Sequence, residues 1–201
     1  GPGARTIKIP LPSFTLVGAT TKTGLVSGPL YSRFGITARL DFYTEEDIQA
    51  IIRRSARILG IELDEGACRL IAHRSRGTPR VANRLLRRMR DFAQVLGDGR
   101  INREIVLQGM DSLDIDGLGL DKLDREILKI IITAYSGGPV GSETLAISIG
   151  ESVDTLEDVY EPYLIQRGLL QRTPRGRMVT HIAYEHLNLN KPDSENQSLL
   201  F

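Results

Sequence analysis

The 201-residue chain carries 26 Lys+Arg against 25 Asp+Glu, so a formal charge of +1 excludes a uniformly basic surface and leaves any nucleic-acid site to local clustering. Its 41% hydrophobic content supports packed cores, a single cysteine excludes an internal disulfide, and no apolar run approaches the roughly 18 residues that membrane insertion needs. The histidines His73, His181 and His186 lack the spacing of a zinc site, and Cys68 in an apolar helical pattern reads as a packed thiol in a reducing, cytoplasmic setting.

In chain order, residues 5–11 are strand-like and residues 14–19 form a short apolar run bounded by Pro12 and Gly18, which predicts a strand buried on both faces of a parallel sheet. Such a sheet implies an α/β domain. At the carboxyl end of that strand, where open α/β sheets place ligands, stand the hydroxyls of Thr20 and Thr21. Arg33 follows between Ser32 and Phe34, ahead of a second predicted strand over residues 36–42. An arginine presented this way suits a phosphate in a neighbouring subunit, or is an ordinary surface charge.

Thr44 then caps a predicted helix whose first turn holds Glu45, Glu46 and Asp47, with Ile48, Ile51, Ile52, Ser55, Ala56 and Leu59 at helical spacing up to Gly60. A second helix begins near Asp64 and is expected to stop at Gly77. Thr78 and Pro79 start a third, running to about Leu96 with an inner stripe of Val81, Leu85, Met89, Phe92 and Leu96. Asn102 caps a fourth that reaches Leu113. Arg80 lies in the first turn of the third helix, where positive charge opposes the helix dipole unless an anion is near, so the 78–80 segment predicts a phosphate-sensing end. Arg84, Arg87, Arg88 and Arg90 read as a solvated or subunit-facing surface.

Residues 114–120 hold two glycines, break the helical period and predict a linker. Beyond it come a helix from Asp121, a turn at residues 137–139, a short helix from Ser142 to Gly150, and a third helix with Asp154 and Glu157 as a capping-box-like start. Pro162 should bend or divide that helix after Glu161. Two short strands, residues 169–172 and 178–180, complete a winged helix. Arg172, Arg175 and Arg177 cluster at the hairpin with no acid between them, which suits phosphate contacts to DNA, a protein-binding wing, or simple solubility. Tyr160 and Tyr163 read as core. From about Asn188 a polar tail with Lys191, Pro192, Asp193 and Ser194 is expected to be disordered.

The segments LVGATT, PLYSRFG and RSRGTPRVANRLLRRMRDFA together resemble the RuvB family of AAA+ Holliday-junction branch-migration motors over nearly the whole chain. The resemblance implies sensor 1 at Thr21 with Thr20 beside it, an arginine finger acting in trans at Arg33, and sensor 2 at Arg80. It also implies DNA contact through the carboxyl-terminal domain, raising the prospect for Arg172, Arg175 and Arg177. The expected organisation is an α/β remnant of the ATPase domain over residues 1–43, a helical lid over 44–115, a winged helix over 116–188 and a tail over 189–201.

The implied activity is ATP-dependent branch migration in recombination, DNA repair and the SOS response. The implied cofactor is ATP with magnesium; the implied partners are four-way and duplex DNA, a RuvA-type junction-binding protein and copies forming a hexameric ring. Tyr31 stands where the family usually has arginine. The 201 residues contain no GxxxxGK[ST] loop and no acidic Walker B strand, so the expectation is a carboxyl-terminal portion that does not hydrolyse ATP alone. A winged-helix transcriptional regulator is the rival from another class; the acids Glu157, Asp158 and Glu161 on its would-be recognition helix argue against it. A clamp-loader-like switch would share the sensors and the finger.

Overall fold

The computed structural model describes residues 10–190, in two compact units divided between Asp41 and Phe42. Most of the strand expected over residues 5–11, and the tail beyond residue 190, lie outside that span.

In the first unit the strands expected at residues 14–19 and 36–42 do not form. Their apolar side chains stand in solvent, Val17 at 86% and Leu40 at 92% exposure. A parallel strand is held by neighbours remote in sequence, and no described segment offers these residues a ladder. What does form is local: a 3₁₀ turn (Thr23–Leu25) and helix α1 (Gly28–Tyr31), with Pro29 in its first turn. The amides of Arg33 and Phe34 bond back to the carbonyls of Leu30 and Tyr31.

The second unit contains two hydrophobic cores. The first is built by α2 (Glu45–Ile58), α3 (Glu65–His73), α4 (Pro79–Leu96) and α5 (Arg103–Ser112). Thr44 Oγ1 accepts the Asp47 amide at 3.2 Å and Asn102 accepts the Ile105 amide at 2.9 Å, so both expected caps are made. Helix α3 ends at His73, four residues before Gly77, and the turn between them feeds α4. Ile48, Ile52, Ile71, Leu86, Met89 and Val106 are fully buried at the centre, each such side chain contributing about 1.5–3 kcal/mol of transfer energy. The inner stripe of α4 runs through Ala82, Leu85, Leu86, Met89 and Ala93, whereas Leu96 is exposed. Val81 and Phe92 of the expected stripe pack partly buried against the edge of this core, and Leu96, although on the same side of the helix, is its last residue.

The second core is built by α6 (Lys122–Ala134), α7 (Ser142–Ile149), α8 (Val153–Thr155), a π-helical turn (Leu156–Tyr160), α9 (Glu161–Gln166), β1 (Leu170–Thr173), β2 (Gly176–Val179) and α10 (His181–His186). Asp121 and Asp124 form a reciprocal capping box on α6. The cap of α8 is Ser152, whose hydroxyl accepts the Thr155 amide at 3.1 Å, not the Asp154–Glu157 pair expected from spacing. The helix is divided one residue earlier than expected from Pro162: the π-helical turn ends at Tyr160 and α9 starts at Glu161 with Pro162 in its first turn. Pro162 has no N–H for the carbonyl four residues back, and the widened turn just before it absorbs that loss.

The hairpin pairs Leu170 with Val179 through Thr173 with Gly176. Val140 adds a bridge on its far side, exchanging backbone hydrogen bonds with Arg177 at 3.0 and 2.8 Å. Gly176, at φ 134°, is required there because a Cβ would collide with the Val140 carbonyl. Helix α10 is not among the elements that the sequence announces. The expected all-α portion and winged helix are therefore present, whereas the expected α/β remnant contributes no sheet among the described residues.

Candidate functional site

The predicted residues divide by unit. In the first, Thr20 Oγ1 accepts the Lys22 amide at 3.0 Å, closing a local turn. Thr21 is exposed beside it, so of the two it is Thr21 whose acceptor lone pairs are uncommitted by any hydrogen bond among the described residues. Arg33 is exposed in the turn after α1, with no ion pair among the described residues. Tyr31 is also exposed, at the last position of α1.

In the second unit Arg80 is exposed in the first turn of α4, one residue after Pro79, and no acid lies in that turn. Thr78 does not cap the helix with its side chain; its hydroxyl turns back to the Arg76 carbonyl at 3.2 Å. The free amides at this helix end thus remain directed outward beside an uncompensated guanidinium, an arrangement that favours an anion. Farther along α4, Arg84 and Arg87 are exposed, while Arg88 and Arg90 both engage Asp91.

The wing arginines are not equivalent. Arg175 is exposed at the hairpin tip, in the two-residue turn between Thr173 and Gly176. Arg177 is folded inward with its side chain 13% exposed, donating to Glu161 at 2.7 Å and to Glu157. Arg172 donates through Nε to the same Glu161, whose carboxylate is wholly buried. Burial works against the Arg177 charge, but the hydrogen bonds and field of Glu161 and Glu157 outweigh it and push its pKa up. The sequence shows no acid between these arginines; the acids come from the helix packed beneath the hairpin. Glu157 and Glu161 are in turn neutralised, so they do not present the bare negative face that their sequence suggests.

Sequence reasoning does not single out Arg76, Asp124 or Glu161 as the most committed charged side chains of the second unit. Asp124 is fully buried against Arg76. Burial pushes its pKa up to about 6, against the pull of Arg76 and with a smaller push from Asp121. The readable signal is the Asp121-x-x-Asp124 spacing; nothing local announces that Arg76 will reach it. Among the described residues no cluster of carboxylates, histidines or cysteines could hold a metal ion, and no helix is long and apolar enough to cross a membrane.

Three family models match consecutive parts of the chain: the Holliday junction DNA helicase RuvB P-loop domain over residues 1–40, the RuvB AAA lid domain over 43–116 and the RuvB C-terminal winged helix domain over 117–188. The chain is 68% identical over 192 residues to the Holliday junction branch migration complex subunit RuvB of Treponema denticola, covering 96% of this chain and 56% of that protein. It is 56% identical over 199 residues to the Myxococcus xanthus subunit, covering 99% and 58%. Among solved structures it matches a Thermotoga maritima RuvB variant with a TM-score of 0.87 at 55% identity, over 93% of this chain and 62% of that one. The Thermotoga maritima RuvB Holliday junction branch migration motor matches at 0.81 and 54%, over 84% and 57%. The chain thus spans little more than half the length of the relatives it matches.

Proposed function

This chain belongs to the RuvB family, and we propose that it is the sensor, lid and DNA-binding portion of an ATP-dependent motor that drives branch migration of Holliday junctions. The observation that carries this reading is the succession of three RuvB domain matches along one chain, with identities of 68% and 56% to the Treponema denticola and Myxococcus xanthus subunits. The division at residues 43/44, 115/116 and 188/189 belongs to the same reading, as do action in recombination and DNA repair, a hexameric ring, a RuvA-type partner and a cytoplasmic setting.

The exposed, uncompensated arginines fit a nucleotide. Arg80, beside the free amides of α4, would hold phosphate oxygens of ATP bound to its own subunit. Arg33 would reach a phosphate in the neighbouring subunit, and Thr21 would orient water or phosphate. Bound ATP with magnesium supplies the phosphoryl group whose transfer drives the motor; no described cluster fits the magnesium itself. A guanidinium placed at the transferring phosphate stabilises charge that develops there and does no covalent chemistry. At the other end of the chain, Arg175 at the hairpin tip contacts DNA phosphates without reading bases, with Arg172 partly available beside it. Arg177 serves this site from beneath, by fixing the hairpin on Glu161.

The test is an ATP-dependent branch-migration assay on a synthetic four-way junction, run with the complete motor and with this chain alone. The complete motor should migrate the junction and hydrolyse ATP, and the chain alone should do neither. DNA-stimulated phosphate release by the purified 201-residue chain would overturn this division of labour.

A further inference from the structure

The lid and the winged helix are joined by charged contacts that belong to neither core. Arg76 lies in the turn between α3 and α4 with φ 59°, a left-handed conformation that is unfavourable for a residue with a Cβ. Its guanidinium, 15% exposed, donates to Asp124, to Asp121 at 3.3 Å and to the Gly119 carbonyl at 3.0 Å. It also sits 5.1 Å from the centroid of the Tyr163 ring. Every one of those partners belongs to the linker or to the winged helix. Tyr163 in turn donates to the Leu118 carbonyl at 2.6 Å.

The linker is held from both sides. Arg74 Nε donates to the Asp116 carbonyl at 3.0 Å, and Asp116 itself faces His186 of α10 at 2.8 Å. Asp116 also accepts the amides of Leu118 and Leu120, both at 2.9 Å. Gly119, at φ 78°, passes so close to the lid that a Cβ there would stand 2.7 Å from the Arg74 carbonyl oxygen. Leu113 and Ile115 pack on the first core while Leu118 and Leu120 belong to the second. Two small domains connected by a glycine-containing segment move relative to one another by default. Here a buried ion pair, a cation over an aromatic ring and a backbone-to-backbone approach oppose that motion together. A buried charged pair also resists partial opening, because separating the partners leaves each unsatisfied in the interior.

We propose that Arg76 is a coupling residue, locking the winged helix to the lid so that displacement of the start of α4 is delivered to the wing. Arg76 is three residues before Pro79, where α4 begins, and four before Arg80. Whatever moves the phosphate-facing end of α4 therefore moves the residue that grips Asp124. The transmission role rests on the motor reading above; the rigid joint does not.

The joint is tested on this chain without nucleotide or DNA. Spin labels at Glu104→Cys on α5 and Glu143→Cys on α7, in a Cys68→Ser background, report the lid-to-wing distance by pulsed electron resonance. One narrow distance is expected, and Arg76→Met should broaden it while each domain keeps its helical circular dichroism. Should Arg76→Met fail to fold because Asp124 is left charged in the interior, Arg76→Met with Asp124→Leu removes that charge, and it should still give a broad distribution. Narrow distances in a folded double variant would overturn the joint. In the complete motor, Arg76→Met should leave ATP turnover near normal and reduce junction migration about tenfold, the scale of an ordinary coupling free energy. Broad distances with undiminished migration would overturn the transmission role. Broad distances in a motor whose unsubstituted form does not migrate junctions would support the joint and sink the motor reading instead.

Discussion

Arginine is used in opposite ways in two regions of this molecule. Around residues 32–35 and 78–80, Arg33 and Arg80 stand exposed with no ion pair among the described residues. In the winged helix and its joint to the lid, Arg177 and Arg76 are turned inward onto carboxylates, two of which, Glu161 and Asp124, are wholly buried. An exposed, uncompensated guanidinium contributes little to folding and is available to a ligand. A buried, paired one holds two elements together and has few donors left. The lesson is that arginine-rich sequence does not by itself mark a ligand surface; the partner supplied from elsewhere in the fold decides.

Four measurements break or sharpen that comparison. The largest effect is expected at Arg33. In the complete motor Arg33→Ala should lower ATP turnover by roughly 10³ to 10⁵ while leaving nucleotide binding and thermal stability nearly unchanged. Turnover close to normal would move Arg33 out of the ligand-facing class. Arg177→Met should act the other way round. It leaves buried Glu161 with Arg172 alone, and urea denaturation should show a loss of about 3 kcal/mol, since removing one partner of a buried pair strands the other. A loss below the roughly 0.5 kcal/mol typical of surface substitutions would show that Arg177 is not structurally committed.

Asp124 provides a pH signature. Its folded pKa of about 6 lies above its ordinary value of 3.8, with Arg76 and Asp121 facing it and Tyr160 and Tyr163 nearby. A carboxyl with a raised folded pKa contributes most below its unfolded pKa, and that contribution is lost as pH rises through the folded one. The stability of the unsubstituted chain relative to Asp124→Asn should therefore decline between about pH 4 and pH 6.5, by at most about 3 kcal/mol. A difference that is flat across that window would contradict the buried, raised carboxyl. The smallest effect is at the tip of the wing. Arg175→Ala should leave stability within about 0.5 kcal/mol. It should weaken binding to unrelated duplexes alike and make the slope of log affinity against log salt shallower by about 0.9. A sequence-dependent loss would point to base readout, and an unchanged slope would take DNA contact away from Arg175.

The lid is largely legible in its sequence. Thr44 and Asn102 announce their helices because a cap acts on amides two or three residues away, and Pro79 marks the start of α4 for an equally local reason. The hairpin, with its Thr173 to Gly176 turn, is found to within a residue or two for the same cause. Sequence and structure part where a second element decides. The face of α4 is chosen by what packs on it, so Ala82, Leu86 and Ala93 are buried while Val81 and Phe92 are only partly so. The runs at residues 14–19 and 36–42 have the composition of strands, but a strand requires a neighbour's ladder, and among the described residues none is offered.

What the amino-acid sequence alone determined is therefore the order of most elements of the lid and the winged helix, the caps at Thr44 and Asn102 and the family resemblance, all carried by spacings of a few residues. Tertiary structure decided the fate of the charges. Arg76 reaches Asp124 across 48 positions and Arg177 reaches Glu161 across 16, separations at which no local pattern specifies a contact. The first pairing exists because the lid meets the winged helix at the linker, the second because the hairpin packs on α9 within one core, and burial then makes a matched partner obligatory.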